Sequence, residues 1–182
     1  MSSFYSLDEL KTLGFKSIGN NVLLSKKASF YSPETISFGD NVRVDDFCVL
    51  SGEITTGNYV HISAYVACYA KAGLRIGNFC GISPRSSIYT VSDDFSGEYM
   101  ISPMVPDNLT KLRQGRVVLE NYTQLGANSI VMPGVKLKEG AVSGAFSLVL
   151  KDLDEWTINF GIPCKFYQHR KKDIIKLSEK IL

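Results

Sequence analysis

Residues 38–67 read FGDNVR VDDFCV LSGEIT TGNYVH ISAYVA, five blocks of six. The fifth place of each holds a small or aliphatic side chain, at Val42, Cys48, Ile54, Val60 and Val66. Helices repeat their apolar residues with a period near 3.6 and amphipathic strands with a period of 2, whereas a period of six fits short strands separated by turns. Gly, Asn, Asp or Pro occupy the third to fourth places of many blocks, where tight or positive backbone angles are needed. The stretch predicts a parallel β-helix with three blocks to each triangular coil.

The phase extends outward. CYAKAG follows with Ala72 at its fifth place, then Leu74 and Arg75 as two extra residues, then IGNFCG ISPRSS IYTVSD. After a long interruption it resumes as LENYTQ LGANSI VMPGVK LKEGAV SGAFSL VLKDLD. Coils are predicted over 38–55, 56–75, 76–93, 119–136 and 137–154, with a poorer one before Phe38. At the N-terminus, Ser6 with Glu9 forms a capping box, Leu7, Leu10 and Leu13 fall at helical spacing, and Gly14 is a stop. KKDIIKLSEKIL, after Arg170, is a second helical candidate. The expected organisation is one domain over 1–182. It comprises a helical cap at 1–17, a β-helix at 18–163 with a loop inserted at 94–116, and a basic tail or helix at 164–182.

The 182 residues carry a formal charge of +2, with 21% charged and 45% hydrophobic side chains. That balance describes an ordinary globular protein and gives no reason to expect nucleic acid. The opening residues lack a basic flank before an apolar core, and no apolar run approaches the roughly 20 residues needed to span a bilayer. No membrane insertion and a cytoplasmic location are expected. Cys48, Cys68, Cys80 and Cys164 show no C-x-x-C spacing, so free thiols are expected rather than disulfides or a metal site.

The repeat resembles the hexapeptide-repeat acyltransferases, most specifically through LGANSIVMPGVKLKEGAVSGAFSLVLKDLDEWTINFGIPCKFYQHR, residues 125–170. The resemblance implies an all-β fold, a left-handed parallel β-helix of hexapeptide repeats with short N- and C-terminal helices. It also implies a homotrimer with sites between subunits and acetyl-CoA as co-substrate. GNYVHISAY, SDDFSGEYM and FYSLDELKTLGFKSIG are most similar to bacterial enzymes that acetylate the amine of dTDP-4-amino-4,6-dideoxyglucose, for O-antigen or surface-polysaccharide synthesis. A nucleotide sugar is the partner that follows.

His61 and His169 are the two histidines, and imidazole alone titrates unperturbed near neutral pH. His61, next to a corner, is the candidate base, and an interfacial histidine without chemical role is the competing reading. In relatives with an IYTATHP-like segment, the base falls where this chain has Asp93. A second group of relatives carries a histidine where this chain has Gly52. A hydroxyl acceptor leans on a base worth about 100- to 10,000-fold, and a sugar amine, partly neutral at pH 7 to 8, needs less. The missing bases favour an amine acceptor.

Asp93, Asp94 and Glu98 open the inserted loop with negative charge suited to an ammonium group or sugar hydroxyls. Asp94 is a second candidate for proton transfer, and Tyr89 and Arg85 are candidates for the nucleotide half. The resemblance places acetyl-CoA along the closing coils, at Gly126, Ala127, Gly144 and Ala145, with Lys151 and Lys165 for its 3′-phosphate. No metal is expected. An O-acetyltransferase acting on a saccharide hydroxyl and a non-catalytic scaffold remain the alternatives. A metal site of the γ-carbonic-anhydrase kind would need three converging ligands, usually histidines.

Overall fold

The computed structural model describes residues 3–181. Most strands are two to four residues long and pair in parallel with the strand one coil away. Three faces result. On the first, Ser17, Ser37, Thr55, Arg75, Val118 and Lys136 stand in one register column. On the second, the column is Leu23, Arg43, His61, Gly81, Gln124, Val142 and Ile158. On the third it is Ser29, Val49, Ala67, Ser87, Ile130 and Leu148. The chain is a parallel β-helix.

Because side chains alternate across a strand, the residue beside each of these points inward. Leu24, Val44, Ile62, Ile82 and Leu125 fill the axis from the second face and are essentially unexposed. Each such burial is worth about 1.5–3 kcal/mol. Val42, Cys48, Ile54, Val60 and Val66 are buried too, as the fifth-place rule predicts. Leu74 corrects the phase assigned between the second and third coils. It pairs with Ile54 in the core, and the extra residues are taken up at the corner by Lys71–Gly73 opposite Glu53. Gly52 and Gly73, both at φ +92, turn this corner in a conformation that L side chains rarely adopt.

The corner between the first and second faces carries a stack of rings. Tyr59 lies on Phe79 with centroids 4.8 Å apart, Phe79 on Tyr122 at 5.3 Å, and Tyr122 against Trp156 at 5.9 Å. All four have positive φ, which costs roughly 1–2 kcal/mol per non-glycine residue. Stacking returns about 0.5–1.5 kcal/mol per pair, and an asparagine ladder adds more. Asn58 Oδ1 accepts from Asp40 N at 2.8 Å, and Asn78 Oδ1 from Asn58 N at 2.8 Å.

Helix α1, Leu7–Thr12, has the full capping box between Ser6 and Glu9 and buries Leu10, whereas Leu7 is exposed. Helix α2, Asp173–Ser178, lies along the ring stack, with Ser178 Oγ 2.8 Å from Tyr122 Oη and Tyr59 Oη donating to Ile181 O at 3.1 Å. Ahead of it, Lys165–His169 forms a strand antiparallel to Thr157–Phe160, covering the last edge of the second face. The tail reading had no strand there. Among the described residues no helix is long and apolar enough to cross a membrane.

The interruption leaves from the corner between the third and first faces. Val91–Asp93 pairs antiparallel with Leu112–Gln114, so the loop stands out on a two-stranded stem. At its return, Arg116 Nη2 binds Glu53 Oε1 at 2.6 Å.

Candidate functional site

Asp93 ends the outgoing strand of the stem and fronts an open groove of about 580 Å³ on the third face. Tyr69, Tyr89, Ile130, Met132 and Leu148 form its floor, and Val91 and Phe95 its wall. Tyr69 and Tyr89 stack at 5.3 Å. A second groove of about 430 Å³ shares Ser92, Asp93, Phe95 and Met132 and is walled by Asp94, Lys111 and Arg113. Asp93 and Phe95 therefore stand between two grooves, the second of which carries the charged side chains of Asp94, Lys111 and Arg113. Phe95 is 86% exposed.

The two carboxylates at the stem differ. Asp94 Oδ2 accepts from Ser96 Oγ at 2.6 Å and Ser96 N at 3.1 Å, and the hydroxyl contact first of all holds its carboxyl below the usual range. Asp94 thereby fixes the turn that starts the loop. The Asp93 carboxylate accepts no hydrogen bond among the described residues. It is exposed and available to a ligand donor. Glu98 lies further along the loop, outside both grooves.

Toward the C-terminus the third face leads to a cleft of about 290 Å³ formed by Leu150, Lys151, Pro163, Cys164 and Lys165. Lys151 and Lys165, distant in sequence, are thus brought together. Ile88 pairs with Val131 and Val131 with Val149, so this cleft lies about two rungs, or ~10 Å, along the axis from the Tyr89 level. Gly126 and Gly144 occupy successive rungs beside the second face, and a Cβ on Gly126 would collide with the backbone of Gly144 and Ala145. Ala145 is exposed at that corner. Arg170, further along the chain, is held within the fold: its Nη1 donates to Tyr122 O at 2.6 Å and Gly140 O at 3.0 Å.

His61 stands on the second face, half exposed, and Asp45 Oδ2 is 2.7 Å from its Nε2. In a three-sided prism the corner bearing Asp93 and Asp94 is the one opposite this face, so a single chain does not bring His61 to either carboxylate. Arg85 is also apart from them, at the corner between the second and third faces, with its guanidinium 5.4 Å from the Tyr65 ring.

Sequence reasoning missed Asp45, Phe95 and Met132. Asp45 was recoverable, since Arg43 and His61 are register partners one coil apart and the side chain two residues from Arg43 stands on the same face. Phe95 and Met132 meet only through the fold of the stem. Among the described residues no three His, Cys, Asp or Glu side chains cluster as a metal site, and the four cysteines are free.

No family model matches the chain. It is 44% identical over 177 residues to a dTDP-4-amino-4,6-dideoxy-D-glucose acyltransferase of Escherichia coli, covering 94% of this chain and 92% of that protein. The crystal structure of AntD, an N-acyltransferase from Bacillus cereus in complex with dTDP and 3-hydroxybutyryl-CoA, superposes with a TM-score of 0.97 at 45% identity, over 100% of this chain and 97% of that one. AntD has also been solved with substitutions at a serine, in complex with dTDP-4-amino-4,6-dideoxyglucose and coenzyme A, and at an aspartate ten residues further on. A hexapeptide-repeat acetyltransferase of Vibrio cholerae shares the fold, with a TM-score of 0.63 at 20% identity over 92% of this chain and 80% of that one. This chain, repeat and loop alike, belongs to the hexapeptide-repeat acyltransferase family, in the branch of the dTDP-4-amino-4,6-dideoxy-D-glucose acyltransferases.

Proposed function

We propose that the protein transfers the acyl group of an acyl-coenzyme A, acetyl in the first instance, to the amine of dTDP-4-amino-4,6-dideoxyglucose. The observation that carries this reading is the unengaged Asp93 carboxylate at the mouth of a groove that leads, two rungs on, to Lys151 and Lys165. A carboxylate orients an ammonium or amine, and paired lysines bind phosphate by charge-assisted bonds. The coenzyme arm then runs along the coils with its thioester toward Asp93, and the small residues Gly126, Ala127, Gly144 and Ala145, at the far edge of the third face, come to it from a neighbouring copy. Tyr89 belongs to the floor beneath the acceptor, and Phe95 is placed to fold over it. Glu98 serves at the rim, toward the nucleotide, and Arg85, at the other corner of the third face, reaches the nucleotide from a neighbouring copy.

The substituted residues of AntD support Asp93 in particular. Within this sequence the one serine followed ten residues later by an aspartate is Ser83, followed by Asp93. Ser83 sits at the end of the second-face strand of His61's neighbouring rung. Asp93 holds the amine, His61 takes its proton, and Asp94 keeps the loop in shape while lending charge. The amine nitrogen attacks the thioester carbon, the carbon–sulfur bond breaks, and coenzyme A leaves as the thiol.

Since Asp93 and His61 occupy opposite sides of one prism, this chemistry needs two copies, and the proposal includes a homotrimer with each site between subunits. It also includes a bacterial cytoplasmic setting in surface-polysaccharide synthesis, where acyl-CoA and nucleotide-activated sugars are both at hand.

Co-expression of Asp93→Asn and His61→Asn chains tests the arrangement. Each variant alone is expected to be strongly impaired, and mixed assemblies are expected to recover activity because some interfaces join an intact Asp93 to an intact His61. Absence of recovery in verified mixed assemblies would contradict a shared site.

A further inference from the structure

His61 rests against a carboxylate that the transfer chemistry above leaves unused. Arg43 is the register partner of His61, and Asp45 follows it by two residues on the same face. Asp45 Oδ2 lies 2.7 Å from His61 Nε2, while Asp45 Oδ1 accepts from Arg43 Nε at 2.7 Å. The Asp45 side chain is 18% exposed and that of His61 50%, so the carboxylate is the inner, anchored member and the imidazole the outer one. Arg43 is held in turn, its guanidinium 5.2 Å from the centre of the Phe4 ring.

Burial disfavours an ionised Asp45, but the hydrogen bonds from Arg43 and His61, with their charge, outweigh it and hold its carboxyl below the usual range. An ionised carboxylate only accepts hydrogen bonds. Nε2 must therefore carry the proton, and in the neutral ring the lone pair lies on Nδ1. Nδ1 has no hydrogen-bond partner among the described residues. Beside His61 the surface is open: its partner on the following rung is Gly81, where a Cβ would meet nothing nearer than Gln124 Cγ at 4.0 Å.

We infer that Asp45 is a positioning residue, which fixes His61 as the Nε2–H tautomer and presents Nδ1 as the atom that takes the proton of the attacking amine. The inference rests on His61 being the base of the proposed transfer. As the amine nitrogen bonds to the thioester carbon, its proton passes to Nδ1. When the carbon–sulfur bond breaks, that proton moves from Nδ1 to the departing sulfur, and the neutral imidazole returns. Asp45 stays ionised throughout and stabilises the transient imidazolium through Nε2.

Steady-state kinetics of the full-length protein, Asp45→Asn, His61→Asn and the double variant, with acetyl-CoA and dTDP-4-amino-4,6-dideoxyglucose, test this. Asp45→Asn should lower kcat about 10- to 100-fold, within the range a well-placed base supplies, with little change in either KM. In the His61→Asn background the same substitution should cost nothing more, because its effect travels through the ring. An equal loss in both backgrounds would overturn the inference in favour of a purely structural Asp45. Unchanged kcat in Asp45→Asn with a large loss in His61→Asn would overturn it while leaving His61 as the base. Unchanged kcat in His61→Asn would remove the base, and the inference with it.

A second measurement needs no variant. With only two histidines in the chain, the imidazole ¹⁵N signals are few. The neutral His61 ring should be the Nε2–H tautomer, and a dominant Nδ1–H form would overturn the assignment.

Discussion

The indole of Trp156 lies over Gly140, so that a Cβ on that glycine would stand 2.5 Å from ring atoms Cδ2 and Cε3. Gly140 also sits at φ +68, and its carbonyl accepts from Arg170. Gly134 turns a corner at φ +83 with nothing nearer to its missing Cβ than Gly115 Cα at 4.0 Å. The two glycines separate backbone strain from packing. Gly134→Ala should cost roughly 1–2 kcal/mol, the left-handed penalty alone. Gly140→Ala should add about 1–3 kcal/mol for displacing the indole. Thermal unfolding of the two variants checks this ordering, and equal destabilisation would contradict it.

Lys151 and Lys165 form one cleft despite their separation in sequence. If they bind the phosphates of the coenzyme, Lys151→Ala and Lys165→Ala should each raise KM for acetyl-CoA about tenfold or more, as loss of a hydrogen bond to a charged group does. KM for the sugar nucleotide should hardly move. With dephospho-coenzyme A thioester as donor, the variant that lost the 3′-phosphate contact should no longer differ from the parent.

Burial pushes the thiols of Cys48 and Cys68 up to about 11 and about 12 and raises those of Cys80 and Cys164 as well. Thiolate is the reactive form, so the native protein should react slowly with a thiol reagent at pH 8. Cys164, partly exposed in the lysine cleft, should be the first modified, and coenzyme A should protect it. Peptide mapping after brief labelling gives the order directly.

Acid should loosen the N-terminal helix. Contacts with Lys26 and Ser6 lower the Glu9 pKa from 4.5 to about 2. A carboxylate with a depressed folded-state pKa contributes stability above its unfolded value, and that contribution is lost as pH falls from about 4.5 through about 2. Glu9 is exposed, so salt weakens the effect. Melting curves between pH 7 and pH 2.5 should show a smaller acid-dependent decline for Glu9→Gln than for the parent.

The β-helix was legible because its signal is repeated. Val42, Cys48, Ile54, Val60 and Val66 each report the same geometry, and a single misleading residue cannot shift the phase. The misplacement at Leu74 came at a corner with extra residues, where two glycines with positive φ allow a bulge that no period marks. The strand Lys165–His169 was hidden for another reason: it is an antiparallel cover with exposed side chains, outside the six-residue rule. At the site, residue types were legible and juxtaposition was not. Lys151 and Lys165 meet through coil stacking, and Asp94 looks equivalent to Asp93 until the Ser96 contacts separate them. Nothing in the one-dimensional pattern says that His61 and Asp93 face opposite ways.

The most direct test of the proposed activity is the identity of the acylated atom. The purified protein, supplied with acetyl-CoA and dTDP-4-amino-4,6-dideoxyglucose, should release coenzyme A and yield a product one acetyl group heavier, with the proton at sugar C4 shifted as an amide requires. An ester on a sugar hydroxyl, or an untouched amine in the presence of bound coenzyme, would contradict it.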